Sequence, residues 1–395
     1  MNVLIEFLVQ EPVENVITCM NFEIDRVIFF SHEKTLQEYG KRTERFLNSH
    51  CHVRDIRFRT VPEDDLGMIL DTMRGEIRSE ADQGNKVFFD ITGGESLVLV
   101  AFGMLAKEFK APIHMFDVKN SRLIEYDEGA ADCISRDVAR RETGVTLDLL
   151  IEMHGGKINR FLQKEVKSIR SREFFDDIRK IYQVASKYSV YWNPFSAILR
   201  TLLAPAEGSL SVSRRAAEIV AVLRGSESRL YTPAKFNEIL DALGDAGILA
   251  DVVHEDGRYQ LRYKNQAVRE CLFDGGSILE LYTFLQEAEQ SDECLVGVHI
   301  DWDGIIHHQM GEDVLNEIDV LSRSGYVMTF ISCKSGKMGP QQTLHALYEL
   351  ETVASRFGGK YAGKVLATAS DLGKIYRERA EEMGIEVRRE EGRAE

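Results

Sequence analysis

Two short stretches of the sequence carry residues whose types and spacing could do chemistry. The first, NEIDVLSRSGYVMTFISCKSG (residues 316–336), places Asp319 on one apolar run. A second run follows a Ser-Arg-Ser-Gly turn and ends in Ser332, Cys333 and Lys334. A carboxylate on one strand and an ammonium at the end of its neighbour can hold a hard divalent cation and a developing negative charge side by side. The simpler alternative is a salt bridge across the strands. The second stretch, FFDITGGES (88–96), closes an apolar run just before an apolar helix. There Gly93 and Gly94 let the backbone approach a ligand, and Thr92 and Ser96 offer hydroxyls. The amides of a helix starting near Glu95 point to the same spot. A tight, Ser/Thr-capped turn would give the same pattern.

The elements that must position these residues come in two alternating sets. VLIEFLV (3–9), RVIFF (26–30), VRDIRFRTV (53–61), KVFFDI (86–91), PIHMFDV (112–118) and RLIEYD (122–127) read as strands, with amphipathic helices between them. Apolar strands alternating with such helices predict a Rossmann-like parallel sheet covered on both faces, whose ligands bind at the carboxyl ends of the strands. From residue 275 the expected order is helix, three strands, helix, strand, helix. Asp319 falls on the second strand and Lys334 ends the third. Between the two sets the chain is helical and heavily charged, with a break at Gly155-Gly156. It then shows helix, turn and a hairpin centred on Asp256-Gly257, a winged-helix-like pattern. The predicted division is therefore 1–130, 131–274 and 275–395.

Composition bounds the function. A chain of 395 residues supports two or three cores, and a net charge of −15 argues against coating nucleic acid non-specifically. Six scattered cysteines without a CxxC pair fit a reducing compartment and no ordinary zinc site. GxGxxG is absent after the first strand, so NAD or FAD is not expected. The longest apolar run, SLVLVAFGMLA, is about half of the ~20 residues a membrane span needs, which predicts a soluble, cytoplasmic protein.

FFDITGGES, in its place after the fourth strand, resembles the signature of the CRISPR-associated Rossmann fold, the CARF domain that senses cyclic oligoadenylates. The resemblance covers roughly residues 1–130 and implies a homodimer whose two sheets cradle a ring of adenylates. Carried over by position, the ring would meet Thr92, Gly93, Gly94 and Ser96, with Gln10 and Asn15 from the first loop and Ser31 and Thr35 from the second. Glu95 must then point away from the phosphates. NEIDVL…FISCKSG, in its order of elements, is similar to the PD-(D/E)xK superfamily with its restriction-endonuclease-like fold. Together the halves resemble the CARF-nuclease effectors of type III CRISPR antiviral defence, which implies activation by cyclic tetra-adenylate.

The nuclease resemblance implies catalysis by Lys334, Asp319, Glu280 and Ser332. It also implies Mn²⁺ or Mg²⁺ held by Asp319, Glu280 on the preceding helix, the Cys333 carbonyl and Glu349. Ser332 stands where the family more usually has glutamate, which removes one anionic ligand and points to manganese. The expected substrate is single-stranded DNA or RNA, with nicking of duplex DNA as a further activity. The alternative from another class is a CARF-gated regulator whose degenerate nuclease domain binds nucleic acid or a partner without cutting. Lys337, Lys360 and Lys364 are candidates for a phosphate groove. Asp301 is a minor metal candidate. The pair His307-His308 is expected on a surface hairpin, because adjacent strand residues face opposite ways.

Overall fold

The computed structural model describes residues 1–127, 134–137, 144–225, 232–306 and 315–390. The N-terminal unit is built from β1 (Asn2–Phe7), α1 (Ile17–Asn21), β2 (Arg26–Ser31), α2 (Glu33–His50), β3 (Asp55–Thr60), α3 (Leu66–Asp82), β4 (Lys86–Asp90), α4 (Ser96–Phe109), β5 (Ile113–Asp117), β6 (Arg122–Tyr126) and β7 (Ile134–Asp137). Its seven-stranded sheet has the order β3-β2-β1-β4-β5-β6-β7, parallel through β5 and antiparallel beyond it. The sequence pattern shows six of these strands; β7 has no apolar alternation to announce it. The order reverses between β1 and β4, so the loop after β1 and the turn after β4 flank the switch point where such sheets take their ligands.

Both faces of β1 are apolar because both are covered. Val3, Ile5 and Phe7 pack with Ile69, Met73 and Ile77 of α3 and Val98, Phe102 and Leu105 of α4. Leu4 and Leu8 face the other way, into a core that includes Phe29, Phe46 and Leu47 and continues into Phe330, Leu350 and Phe357 of the C-terminal unit. That second core joins the two units. Phe116 stacks edge-on against Tyr326, 5.6 Å between ring centres, and Asn21 Nδ2 donates to the Tyr326 hydroxyl at 2.8 Å.

The middle of the chain contains α5 (Leu147–Met153), β8 (Lys157–Ile158), α6 (Glu165–Ser168), α7 (Arg172–Lys187), α8 (Ser189–Leu202), β9 (Ser211–Arg215), α9 (Ala216–Gly225), α10 (Pro233–Asp245), β10 (Leu249–Val253), β11 (Arg258–Tyr263) and α11 (Gln266–Phe273). The expected hairpin is present: β10 and β11 pair across the Asp256-Gly257 turn, and β9 adds a third antiparallel strand beneath α9 and α10. One element departs from the expected division. β8 lies within the predicted connector, yet it pairs with the edge of the C-terminal sheet.

That sheet completes the fold with α12 (Ser277–Gln290), β12 (Glu293–Asp301), β13 (Leu315–Ser324), β14 (Val327–Lys334), α13 (Pro340–Gly358), β15 (Gly363–Thr368), α14 (Lys374–Glu382) and β16 (Glu386–Arg389). Its order is β16-β15-β14-β13-β12-β8, antiparallel between β12, β13 and β14 and parallel from β14 to β16. One face, with Val296, Val320, Ile331, Val365 and Ala367, packs on α12 and the connector. The other, with Val298, Ile318, Phe330 and Leu366, packs on α13 and the N-terminal unit. Val296 and Val298 thus face opposite ways although only one residue separates them, as do Ile318 and Val320. The break in alternation falls at Gly297, whose φ of +63° is glycine's region, and at Asp319 in the same register. Among the described residues no helix is long and apolar enough to cross a membrane.

Candidate functional site

Asp319 lies at that break on β13, and β14 brings three of the expected residues to it. The Cys333 N–H donates to Asp319 Oδ2 at 2.6 Å, the Ser332 hydroxyl lies 3.3 Å from the same oxygen, and Lys334 Nζ is at 3.9 Å. Glu280, in the first turn of α12, is close enough that its charge and that of Asp319 oppose each other. Burial first, and then Asp319, push the Glu280 carboxyl up to about 7; burial also raises Asp319, against the pull of Lys334. Burial holds the Cys333 thiol far above its ordinary value, so only its backbone is available to a hard cation.

The donor chemistry fits a divalent cation: two mutually repelling carboxylates, with Glu317 beside them, gather negative charge in a half-dry pocket. The geometry holds them apart. Among the described residues no three His, Cys, Asp or Glu side chains converge on a metal position. Glu280 is engaged by a residue the sequence reading missed: Lys167 Nζ lies 2.5 Å from Glu280 Oε2 and 3.4 Å from Glu317 Oε1, with its side chain 1% exposed. Nothing in EVKS (165–168) marks that lysine as different from its charged neighbours, because its burial depends on tertiary packing.

Beside this cluster an open cleft of about 640 Å³ runs between the end of β14 and α13, lined by Lys334, Ser335, Lys337, Gln342, His345 and Glu349 among others. Glu349 therefore sits across the cleft from Lys334, with His345 as its partner at 3.7 Å. Lys337 faces the cleft as expected, but the other two lysines do not. Lys364 is tied to Glu351 and the Met383 carbonyl, and Lys360 reaches Glu14 of the N-terminal unit at 2.8 Å. Asp301 Oδ1 accepts from the N–H groups of Asp303, Gly304 and Ile305, which makes it a turn cap rather than a ligand. The pair His307-His308 lies outside the described residues.

At the switch point of the first sheet is a larger cavity, about 810 Å³, lined by Gln10, Thr92, Gly93 and Gly94 from the expected loops. The other expected ligand contacts do not reach it. Asn15 is buried and clamps β1's loop, accepting from the Val9 N–H and donating to the Val9 carbonyl, both at 2.8 Å. Ser31 is buried against the Leu8 and His32 carbonyls. Thr35 lies in the first turn of α2, and Ser96 is exposed at the start of α4, neither lining the cavity. Glu95 turns aside as required: His32 Nε2 holds its carboxylate at 3.1 Å. Thr92 divides its work, since its hydroxyl also accepts from the Phe116 N–H at 2.8 Å.

The cavity's opposite wall was not foreseen. It is formed by Arg42, His154, Arg356 and Lys360, so the connector and the C-terminal unit both line it. Arg42 and Arg356 donate to the His154 carbonyl, while burial and these two guanidiniums hold the His154 imidazole down at about 3, and hence neutral. Glu11 and Glu14 of the first loop bind the Lys360 N–H and ammonium and the Tyr361 hydroxyl.

No protein-family model and no curated protein matches the chain. Solved structures do match it along nearly its whole length. Protein VC1899 from Vibrio cholerae superposes with a TM-score of 0.68 at 20% identity, over 98% of this chain and 94% of that one. Can2 from Sulfobacillus thermosulfidooxidans, solved in complex with cyclic tetra-adenylate, superposes with a TM-score of 0.65 at 15% identity, over 98% and 93%. The chain therefore shares their fold from end to end, N-terminal sheet, connector and C-terminal sheet together.

Proposed function

We propose that this chain, which carries the fold of VC1899 and Can2 along its whole length, is a divalent-metal-dependent endonuclease switched on by a cyclic oligoadenylate. Cyclic tetra-adenylate is the favoured activator, single-stranded DNA or RNA the substrate, and type III CRISPR defence in the cytoplasm the setting. One observation carries the reading: Asp319, Ser332 and Lys334 meet beside an open cleft, with Glu280 near enough to oppose the charge of Asp319, on a fold that in Can2 is solved with cyclic tetra-adenylate. In the mechanism, Asp319 and Glu280 are the carboxylates that would hold a divalent cation. A bound divalent cation supplies charge neutralisation and a more acidic water. Lys334 and Lys337 face a phosphate lying in the cleft, and Lys334 carries the charge nearest Asp319. The Cys333 N–H fixes the Asp319 carboxylate, so that its free oxygen keeps one direction.

The test is cleavage of labelled single-stranded DNA and RNA with manganese, with and without each cyclic oligoadenylate. Ligand-dependent binding without cutting would instead favour the regulator with a degenerate nuclease domain. Ser332→Glu adds a carboxylate within reach of Asp319. The mutant is expected to cut with magnesium at least several-fold faster than wild type, and an unchanged magnesium rate would remove Ser332 from the metal-facing set.

A second copy of the chain is the proposed partner at α4. Leu97, Val100 and Met104 form an apolar stripe on its outer face, 36–50% exposed, with Met68 of α3 beside them at 58%. Stripes of this kind on the outside of a monomer mark association surfaces. Val100→Asp combined with Met104→Lys is expected to give a folded monomer by light scattering, with at least ~10-fold weaker ring binding because half the cradle is lost. A mutant that remains dimeric would place the two-fold interface elsewhere.

A further inference from the structure

We propose that Lys167 is a built-in cation that holds the metal position of the nuclease site closed in the resting chain, and that ligand in the sensor cavity withdraws it. The inference rests on the nuclease reading above. Its first support is the fit of the side chain. The ammonium lies against Glu280 and Glu317, beside Asp319, where a divalent cation would gather the same oxygens. The stem is admitted by a notch in the sheet. A Cβ at Gly297 would stand 2.5 Å from Lys167 Cδ and 2.9 Å from Nζ, so no other residue type leaves room for it there. A lysine buried this completely, in a slot shaped to it, is not a solvated surface charge that has folded inward.

The second support is what carries Lys167 there. From the sensor cavity the chain runs down β12 in antiparallel steps. His154 lines the cavity, with its carbonyl under Arg42 and Arg356 and its ring 3.7 Å from Glu11. Lys157 and Ile158 then pair with Asp301 and Ile300, and the Asn159 N–H donates to the His299 carbonyl at 2.8 Å. Gln163 Nε2 donates to the Val296 carbonyl at 2.9 Å, and Lys167 closes the run over Gly297. One continuous segment, residues 154–167, thus has its first residue in the sensor cavity and its last on the metal carboxylates. A ligand that pulls Arg42 or Arg356 toward its phosphates would release the anchor of this segment, and a two-state shift at one end biases the other.

The experiment uses the full chain and reads manganese binding directly, by the loss of free Mn²⁺ in electron paramagnetic resonance, with cleavage recorded in parallel. Lys167→Gln keeps a donor for Glu280 without the charge; Lys167→Met removes both and is used if its melting curve shows that it folds. Without ligand, Lys167→Gln is expected to bind Mn²⁺ at least tenfold tighter than wild type. Cyclic tetra-adenylate should tighten Mn²⁺ binding at least tenfold in wild type and less than twofold in the mutant, because coupling between the two sites is reciprocal and the mutant has lost its carrier. Unchanged or weaker Mn²⁺ binding in ligand-free Lys167→Gln overturns the proposal, and so does full ligand coupling in that mutant. If Mn²⁺ binds as described but no nucleic acid is cut, the nuclease reading fails while the cation exchange stands.

Discussion

Replacing Lys334 with alanine is expected to leave a chain that folds and binds cyclic tetra-adenylate as wild type does, yet cuts nucleic acid roughly 10²–10³-fold more slowly. Magnitudes separate this from the simpler account of a cross-strand salt bridge. The Lys334 side chain is 34% exposed and its ammonium is 3.9 Å from Asp319 Oδ2. A solvent-screened pair at that distance contributes about 0–1 kcal/mol to stability, and many such pairs contribute nothing measurable. The Cys333 N–H, not Lys334, holds Asp319 in place at 2.6 Å. A charge aimed at a developing anion is worth roughly 3–4 kcal/mol of barrier, which is the expected loss in rate. The structural account therefore predicts a melting shift of a few degrees at most and normal cutting; the catalytic account predicts an unchanged melting point and lost cutting. Lys334→Arg keeps the charge but changes its shape and reach, so it should recover only part of the rate. Undiminished cutting by purified Lys334→Ala, with metal and ligand present, would remove the site from this end of β14.

The elements that position Lys334 were legible because their physics is local. NEIDVL and YVMTFISCK are apolar runs separated by a Ser-Arg-Ser-Gly turn, so β13 and β14 had to be neighbours; the register sets Asp319 level with Ser332, and Lys334 follows two residues on, within 3.9 Å of Asp319. DITGGES was legible for the same reason: strand, glycines, apolar helix, in that order. What escaped was whatever depends on contacts distant in sequence. Lys167 meets Glu280 across 113 positions that no periodicity connects. Asn15 and Ser31 have the right types and loops for ligand contacts, but their hydrogen-bonding groups turn inward to backbone that only the folded loop presents. Lys360 had the type and place for a phosphate groove beside the C-terminal sheet; the shared core around Phe330 and Phe357 carries it, with Arg356, to the cavity at the switch point of the first sheet instead. The N-terminal and C-terminal units, distant in sequence, pack directly on each other through this core.

That contact sharpens the expectation for Gly94, the second large effect. Gly94 lines the cavity at the switch point with a φ of +144°, and a Cβ there would meet Leu99 Cδ2 at 2.6 Å. Any side chain at this position costs backbone strain of order 1–3 kcal/mol, so Gly94→Asp and Gly94→Ala should both melt several degrees below wild type. Only aspartate adds a negative charge where ring phosphates are expected. Switching from ~1% to ~99% active requires roughly 5.5 kcal/mol of differential affinity for the active arrangement, about 10⁴-fold, and one repelling carboxylate per protomer removes a large share of it. Gly94→Asp is therefore expected to bind cyclic tetra-adenylate at least ~100-fold more weakly than Gly94→Ala and to show only ligand-free cutting, by calorimetry and cleavage assay respectively. Gln10→Glu adds the same charge from an exposed residue of the same cavity, without strain, and should weaken binding in the same direction by a smaller factor. If Gly94→Asp and Gly94→Ala bind the ring equally well, and Gln10→Glu binds it as wild type does, the cavity at the switch point is not where the activator sits. The direct wall from Gly94 to Arg356 and Lys360 would then be a structural seam between two units rather than the route by which one commands the other.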